Sequence, residues 1–355
     1  NNIDIENIKR SKELSHDRMS TIWEGIKASP VTTAYRNKME YSFGDECKDG
    51  PLALGMHKKG GFHDIVTVDH CRIVDDDYNT IIHTVLDFYD EKKVAFYKKM
   101  QQEVQEALRD DRIEVFLQPI YSVKQQNFPS AEALVRLREK DGGIMMPGSF
   151  VPAAEQSGLI EQLGERVFEK VCAMIKGHEL EKLGIRYIEV NLSVKQCENR
   201  NLAAKYAEVI QNAGIRPDNI NLEITESGFV TRREILLENM DALKNFGCTF
   251  SLDDFGTGES NLEYIVRMPV DIVKFDRMML LEYFKNTKAK IMMEHVIEMV
   301  KQMGMKIVVE GVEDRSQLEA METLGADYIQ GYYFSRPVPV DEFVEFIKFG
   351  NKIQS

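Results

Sequence analysis

Eight short apolar runs alternate with helix-patterned stretches over about 240 residues at the C-terminal end of this chain, and no other feature constrains its fold as strongly. The runs are IEVFLQP (113–119), SAEALVRL (130–137), IRYIEVNLS (185–193), INLEITES (220–227), CTFSLDDFG (248–256), VDIVKFD (270–276), MKIVVEGVE (305–313) and ADYIQGYYF (326–334). Between them, the stretches 160–176, 201–213, 232–246, 286–303 and 315–324 carry apolar residues at helical spacing. Asp314 and Ser316 are suited to cap the last of these helices. The glycines in LGI (183–185), AGI (213–215), FGC (246–248), MGM (303–305) and LGA (324–326) fall where each helix hands over to a strand, so left-handed C-caps are predicted there. Strand–helix repetition of this length predicts a (β/α) barrel. An open doubly wound sheet is the alternative. It fits less well, because no Gly-rich phosphate turn follows the first run.

A chain of 355 residues exceeds one small core and suggests a barrel-sized domain plus a smaller part. Residues 94–110 read as a helix without Gly or Pro. Before it lie the turn-rich segments ASPVTTAYRN, GDECKDGPLALG and HKKGGFHD, one strand at 64–68 and a helical stretch at 78–89. The expected organisation is a small α+β module over 1–95 and the barrel over 96–355.

The net charge of -13 argues against a nucleic-acid polymer as partner, since such binding needs clustered Lys and Arg. A small anion remains compatible if cations offset the repulsion. The five cysteines include no C-x-x-C pair, which speaks against a disulfide framework or a zinc knuckle. No apolar run is long enough for a bilayer, and the opening NNIDIENIKR lacks a signal-peptide core. A reduced, cytoplasmic chain without membrane contact is expected.

In a barrel the C-terminal ends of the parallel strands meet at one face. The ends of the runs deliver Glu132, Asn191, Glu223 with Glu226, Asp253 with Asp254, Lys274 with Asp276, Glu310 with Glu313, and Gln330. Carboxylates gathered in this way repel each other unless paired or metal-bound. Mg²⁺ and Mn²⁺ prefer such oxygen ligands, and no His/Cys set competes for a softer metal. Asp253-Asp254 could bridge two ions, an arrangement suited to in-line attack on a phosphodiester. Lys274 and Arg136 are the cations expected on this rim, as partners for a phosphate oxygen or a reacting water. A kinase reading of DDFG fails, because no H-R-D loop or V-A-I-K lysine accompanies it.

These residues fall within motifs that resemble the EAL-domain cyclic di-GMP phosphodiesterases over about residues 103–349. The matching segments are FLQPI (116–120), the E-x-L-x-R of Glu132, Leu134 and Arg136, MPGSFVPAAEQSGLIEQLG (146–164), NLS (191–193), EITES (223–227), DDFGTG (253–258), VDIVKFD (270–276), EGVE (310–313) and QGYYFSRP (330–337). The resemblance implies a modified TIM-like barrel whose first strand is antiparallel. It implies that Glu132, Asn191, Glu223 and Asp253 hold one Mg²⁺ or Mn²⁺ ion. Asp253 and Asp254 would hold a second, with Glu310 as ligand or general base. Lys274 would position the attacking water. Gln118, Leu134, Arg136, Gln330 and Glu313 would contact the substrate. Glu226, Asp276 and the 253–262 loop would organise the second metal site and a homodimer interface. The chain departs from the family pattern at Glu259-Ser260-Asn261 and in FDRMML after Lys274.

Residues of about 22–90 resemble instead a fragment of the RNA uracil-5-methyltransferases, through SPVTTAYRNKMEYSFGDE (29–46) and GMHKKGGFHDIVTVDHCRIV (55–74). Cys71 matches one of that family's iron–sulfur ligands, but one Cys cannot hold a cluster. The function expected of the barrel is hydrolysis of cyclic di-GMP to linear pGpG. A catalytically silent cyclic di-GMP receptor or protein-interaction module is the alternative, and RNA contact through Arg36, Lys38, Lys58 and Lys59 is the weakest reading.

Overall fold

A computed structural model describes residues 94–225, 233–256 and 262–350, together with three short strands upstream. The chain divides into two compact units, Asn1–Tyr97 and Lys98–Ser355. In the first unit the strands Ser42–Asp45, Leu52–His57 and Ile65–Thr67 form an antiparallel sheet in that order. The third lies inside the predicted strand at 64–68. The other two overlap the segment GDECKDGPLALG (44–55), which was read from its Gly, Pro and Asp content as turn-rich. Cys71 and the helical reading at 78–89 lie outside the described residues.

The second unit is a closed barrel. Its strands, in chain order, are β1 (Ile113–Ser122), β2 (Asn127–Arg138), β3 (Tyr187–Asn191), β4 (Ile220–Thr225), β5 (Thr249–Phe255), β6 (Ile272–Phe275), β7 (Lys306–Val309) and β8 (Tyr328–Ile329). Each pairs in parallel with the next from β2 to β8. Strand β1 is antiparallel to both β2 and β8 and closes the ring. All eight predicted runs therefore become strands, with the first one reversed. Two further two-residue strands, Ile144–Met145 beside β2 and Val338–Pro339 beside β1, are too short to leave a sequence pattern.

Successive side chains of a strand point to opposite faces. In β2 this puts Ser130, Glu132, Leu134 and Arg136 on one face and Ala131, Ala133, Val135 and Leu137 on the other. The E-x-L-x-R spacing is thus a one-face pattern, with Glu132 and Arg136 both buried. Outside the ring, helix Ile160–Gly177 buries Leu163, Val167, Val171 and Ile175 along one stripe, and Phe168 stacks on Tyr206 with centroids 3.9 Å apart. The helices Leu202–Ala213, Arg233–Phe246, Thr287–Gln302 and Arg315–Leu324 also form where predicted.

Helices Pro147–Ser157, Leu262–Arg267, Arg277–Lys285 and Val340–Gly350 are additional. Of the two expected capping residues, Asp314 accepts the Gln317 N–H at 3.0 Å, while Ser316 lies inside the helix and donates to Asp314. The handover glycines take positive φ, for example 64° at Gly214 and 91° at Gly325. Among the described residues no helix is long and apolar enough to cross a membrane.

The turn after β8 fixes one glycine by close approach. The Gln330 N–H donates to Val309 O at 2.9 Å, and the Tyr333 N–H to Val312 O at 2.9 Å. A Cβ on Gly331 would stand 2.1 Å from Val312 O and 2.4 Å from Val312 N, both backbone atoms that cannot rotate away. Gly331→Ala is expected to cost about 1–3 kcal/mol through overpacking. A thermal melt would show this as a lowered midpoint, and an unchanged midpoint would contradict the packing described here.

Candidate active site

One lysine stands at the centre of the barrel's mouth. Lys274, on β6, has a fully buried side chain whose ammonium meets five carboxylates. Nζ is 2.6 Å from Glu310, 3.3 Å from Glu189, 3.7 Å from Glu132 and 3.9 Å from Asp253, and it pairs closely with Glu223 as well. These acids come from β2, β3, β4, β5 and the residue after β7. The parallel ladder sets them level: Glu132 is the register partner of Glu189, and Asn191 that of Glu223.

Burial pushes the Glu310 carboxyl up to about 8, Glu189 to about 7 and Asp253 to about 6, in each case against the pull of Lys274. Burial likewise raises Glu223 well above the usual carboxylate range. For Lys274, burial disfavours the charged form, but the charges of Glu132, Glu223, Glu310 and Asp253 outweigh it and hold the ammonium protonated. One positive charge is too little to keep five buried acids ionised together, and the raised carboxyls reflect that shortage.

That imbalance fits hard divalent cations. Carboxylate oxygens of Glu223, Asp253 and Glu310 lie within 4.8 Å of one another. Apart from the Lys274 ammonium, both oxygens of Glu223 and Oδ1 of Asp253 are buried without a hydrogen-bond donor. An all-oxygen set with unsatisfied lone pairs suits Mg²⁺ or Mn²⁺ rather than a thiophilic metal.

Amides steady the remaining acid. Asn191 Nδ2 donates to Glu132 Oε1 at 3.0 Å, and Gln330 Nε2 donates to Glu132 Oε2 at 2.6 Å. Gln330 also donates to Gln118 Oε1 at 3.1 Å, and Gln118 Nε2 reaches Ser335 O at 3.1 Å. Glu132, Asn191, Gln118 and Gln330 thus form one chain from β1, β2, β3 and the end of β8. Arg136 is buried, donates to Val135 O at 2.8 Å and lies 5.4 Å over the Phe116 ring. Half-buried Leu134 shares its strand face.

Other residues expected at the rim are placed apart from the cluster. Asp254 is exposed, takes φ 54° and is not one of the three converging acids. It sits with Asp253 opposite Lys274 at a register shift between β5 and β6, where the strand carries one extra residue and regular alternation is broken. Glu313 forms an ion pair with Arg277 at 2.9 Å and takes no part in the Lys274 group. Arg277 stands two residues past β6 and adds a third cation, beside Lys274 and Arg136, that the sequence reading did not expect at this end. Asp276 caps helix Arg277–Lys285, accepting the Met278 N–H at 2.7 Å. Glu226, Glu259, Ser260 and Asn261 lie outside the described residues. Glu189 was missed from sequence. Its signal was its place two residues before Asn191 in β3, on the same face.

The EAL domain family model matches residues 101–337. The signalling protein YkoW of Bacillus subtilis is 31% identical over 256 residues, covering 70% of this chain and 31% of that protein. The cyclic di-GMP phosphodiesterase NbdA of Pseudomonas aeruginosa is 30% identical over 250 residues, covering 70% of this chain and 32% of that protein. The chain thus spans about a third of the length of these curated relatives. Among solved structures, the PaMucR phosphodiesterase in complex with c-di-GMP superposes with a TM-score of 0.65 at 29% identity, covering 69% of this chain and 99% of that one.

Proposed function

This chain belongs to the EAL domain family, and from that premise we propose that its barrel is a phosphodiesterase that uses Mg²⁺ or Mn²⁺, with two ions bound, to open cyclic di-GMP to linear pGpG. The single observation that carries this reading is the Lys274 cluster: one buried ammonium, and acids whose oxygens converge without enough positive charge among them. Glu132, Asn191, Glu223 and Asp253 would hold one cation. Asp253, Asp254 and Glu310 would serve the second, with Asp254 turning inward to do so. Bound there, the cations would lower the pKa of water and neutralise charge building on the phosphate.

The chain's own groups do the rest. Lys274 Nζ donates hydrogen bonds toward the mouth and orients the attacking water. Glu310, 2.6 Å from that ammonium, is placed to accept the water's proton. Arg136, planar and braced on Phe116, grips a substrate phosphate, as a guanidinium fork does well. Leu134, Gln118 and Gln330 line the substrate's approach, and the two amides keep Glu132 aimed at its cation. Glu313, paired with Arg277, borders the substrate at the rim. Asp276, as the cap of helix Arg277–Lys285, would help shape the loop near the second ion.

The test is incubation of the full chain with cyclic di-GMP and either metal, followed by chromatography of the nucleotides. Linear pGpG is the expected product. Binding of the nucleotide without any product would leave a receptor in its place. We further propose a homodimer, for which Met278, Phe284, Ile291 and Met292 on successive helices offer exposed apolar side chains. Light scattering that returns only the monomer mass would reject it.

A further inference from the structure

Glu189 is the one acid of the cluster that the metal reading leaves unused. It lies one inward position deeper in β3 than Asn191, level with Glu132 on β2 and Asn221 on β4. It is fully buried, and apart from Lys274 neither carboxylate oxygen has a polar partner. Its one close charged contact is Lys274 Nζ at 3.3 Å. The acids whose oxygens converge are Glu223, Asp253 and Glu310, and Glu189 is not among them.

We propose that Glu189 is a positioning residue for Lys274, anchoring the ammonium from the closed side of the barrel so that its other donors face the mouth. The proposal rests on the hydrolytic reading of the site. The rim acids that meet Lys274 are also the groups suited to cations. A carboxylate drawn to a cation turns its oxygens toward that cation and away from the lysine. Glu189 lies outside the set of converging oxygens, so its hold on Nζ is the same with the mouth loaded or empty. A lysine ammonium sits on a flexible four-carbon stem, and it needs such a fixed partner to keep one orientation. A buried carboxylate would be costly without a matching charge, which accounts for the pairing from the acid's side as well.

Glu189→Gln keeps the shape and removes the charge. In the full chain with saturating Mg²⁺, kcat for cyclic di-GMP is expected to fall about 10- to 100-fold. KM and the Mg²⁺ midpoint should stay within about twofold, since ground-state binding is untouched. An unchanged kcat, or a loss confined to Mg²⁺ affinity, would overturn the proposal. If the wild-type chain itself shows no turnover, the hydrolase reading fails, and a spectroscopic arm decides this one separately. A buried, ion-paired ammonium exchanges its protons slowly enough for a ¹H–¹⁵N spectrum of lysine side chains. The Lys274 signal, assigned by its loss in Lys274→Met, should persist with and without Mg²⁺ in the wild type and shift or vanish in Glu189→Gln. An identical signal in both proteins overturns the proposal.

Should Glu189→Gln fold poorly, the pair Lys274→Met with Glu189→Gln supplies the readout. It removes both charges, so it should melt higher than Lys274→Met alone. Additive losses would overturn the pairing.

Discussion

Lys274→Ala is expected to lower cyclic di-GMP turnover by about 10²- to 10³-fold at saturating metal, the usual effect of removing an electrostatic donor from a reacting centre. A rate within a few-fold of wild type would reject the role given to this residue. The same change should also be felt in stability. Five acids meet that ammonium, and the side chain is wholly buried. Removing one partner of a buried ion pair costs about 3–5 kcal/mol, because the other charge is stranded. Without divalent cations the variant should therefore melt well below wild type. Added Mg²⁺ should recover part of the loss, since it supplies the missing positive charge.

Chelation is the second large effect. With EDTA, turnover should fall to background, and the melting midpoint should drop as the acids lose their cations. A ligand at a hundred times its Kd stabilises the folded state by about 2.7 kcal/mol. For a domain of this size that corresponds to roughly 5–10 °C. Glu223→Gln, which replaces a buried carboxylate paired only with Lys274 by a neutral amide, should shrink the Mg²⁺-induced shift severalfold, as loss of one ligand does. A midpoint that ignores Mg²⁺ and Mn²⁺ in the wild type would sink the metal reading outright.

Much of this was legible before any coordinates. The β-branched runs predict all eight staves, because parallel strands covered on one side by helices must be apolar on that side. The mouth residues Glu132, Asn191, Glu223, Asp253, Lys274 and Glu310 were found because strand ends share one face of a barrel. The failures have physical causes too. Glu189 escaped because attention to strand ends skips the next inward position, although a period of two marks it plainly. Glu313 stands four residues past the end of β7, where strand alternation no longer governs direction, and it turns to Arg277 instead. Helix Pro147–Ser157 was hidden by Pro147 and Pro152; the first is tolerated in an opening turn, and the second lies inside the helix, where it forgoes the bond an N–H would make to Gly148 O.

The reversed first strand carries a last consequence. Had β1 run parallel to its neighbours, the chain would enter the barrel at the floor. Running antiparallel, it enters at the rim, and Gln118 meets Glu132 across the ladder midway along the strand. At the point of entry, Arg112 ties Glu103 in the incoming helix to the backbone of Arg138, at 2.6 Å and 2.8 Å. Arg138 closes the same strand that holds Glu132 and Arg136. Any pull or twist on residues 98–112 is therefore delivered within a few residues of Glu132 and Arg136, like a lever hinged at the lip of a vessel rather than at its base.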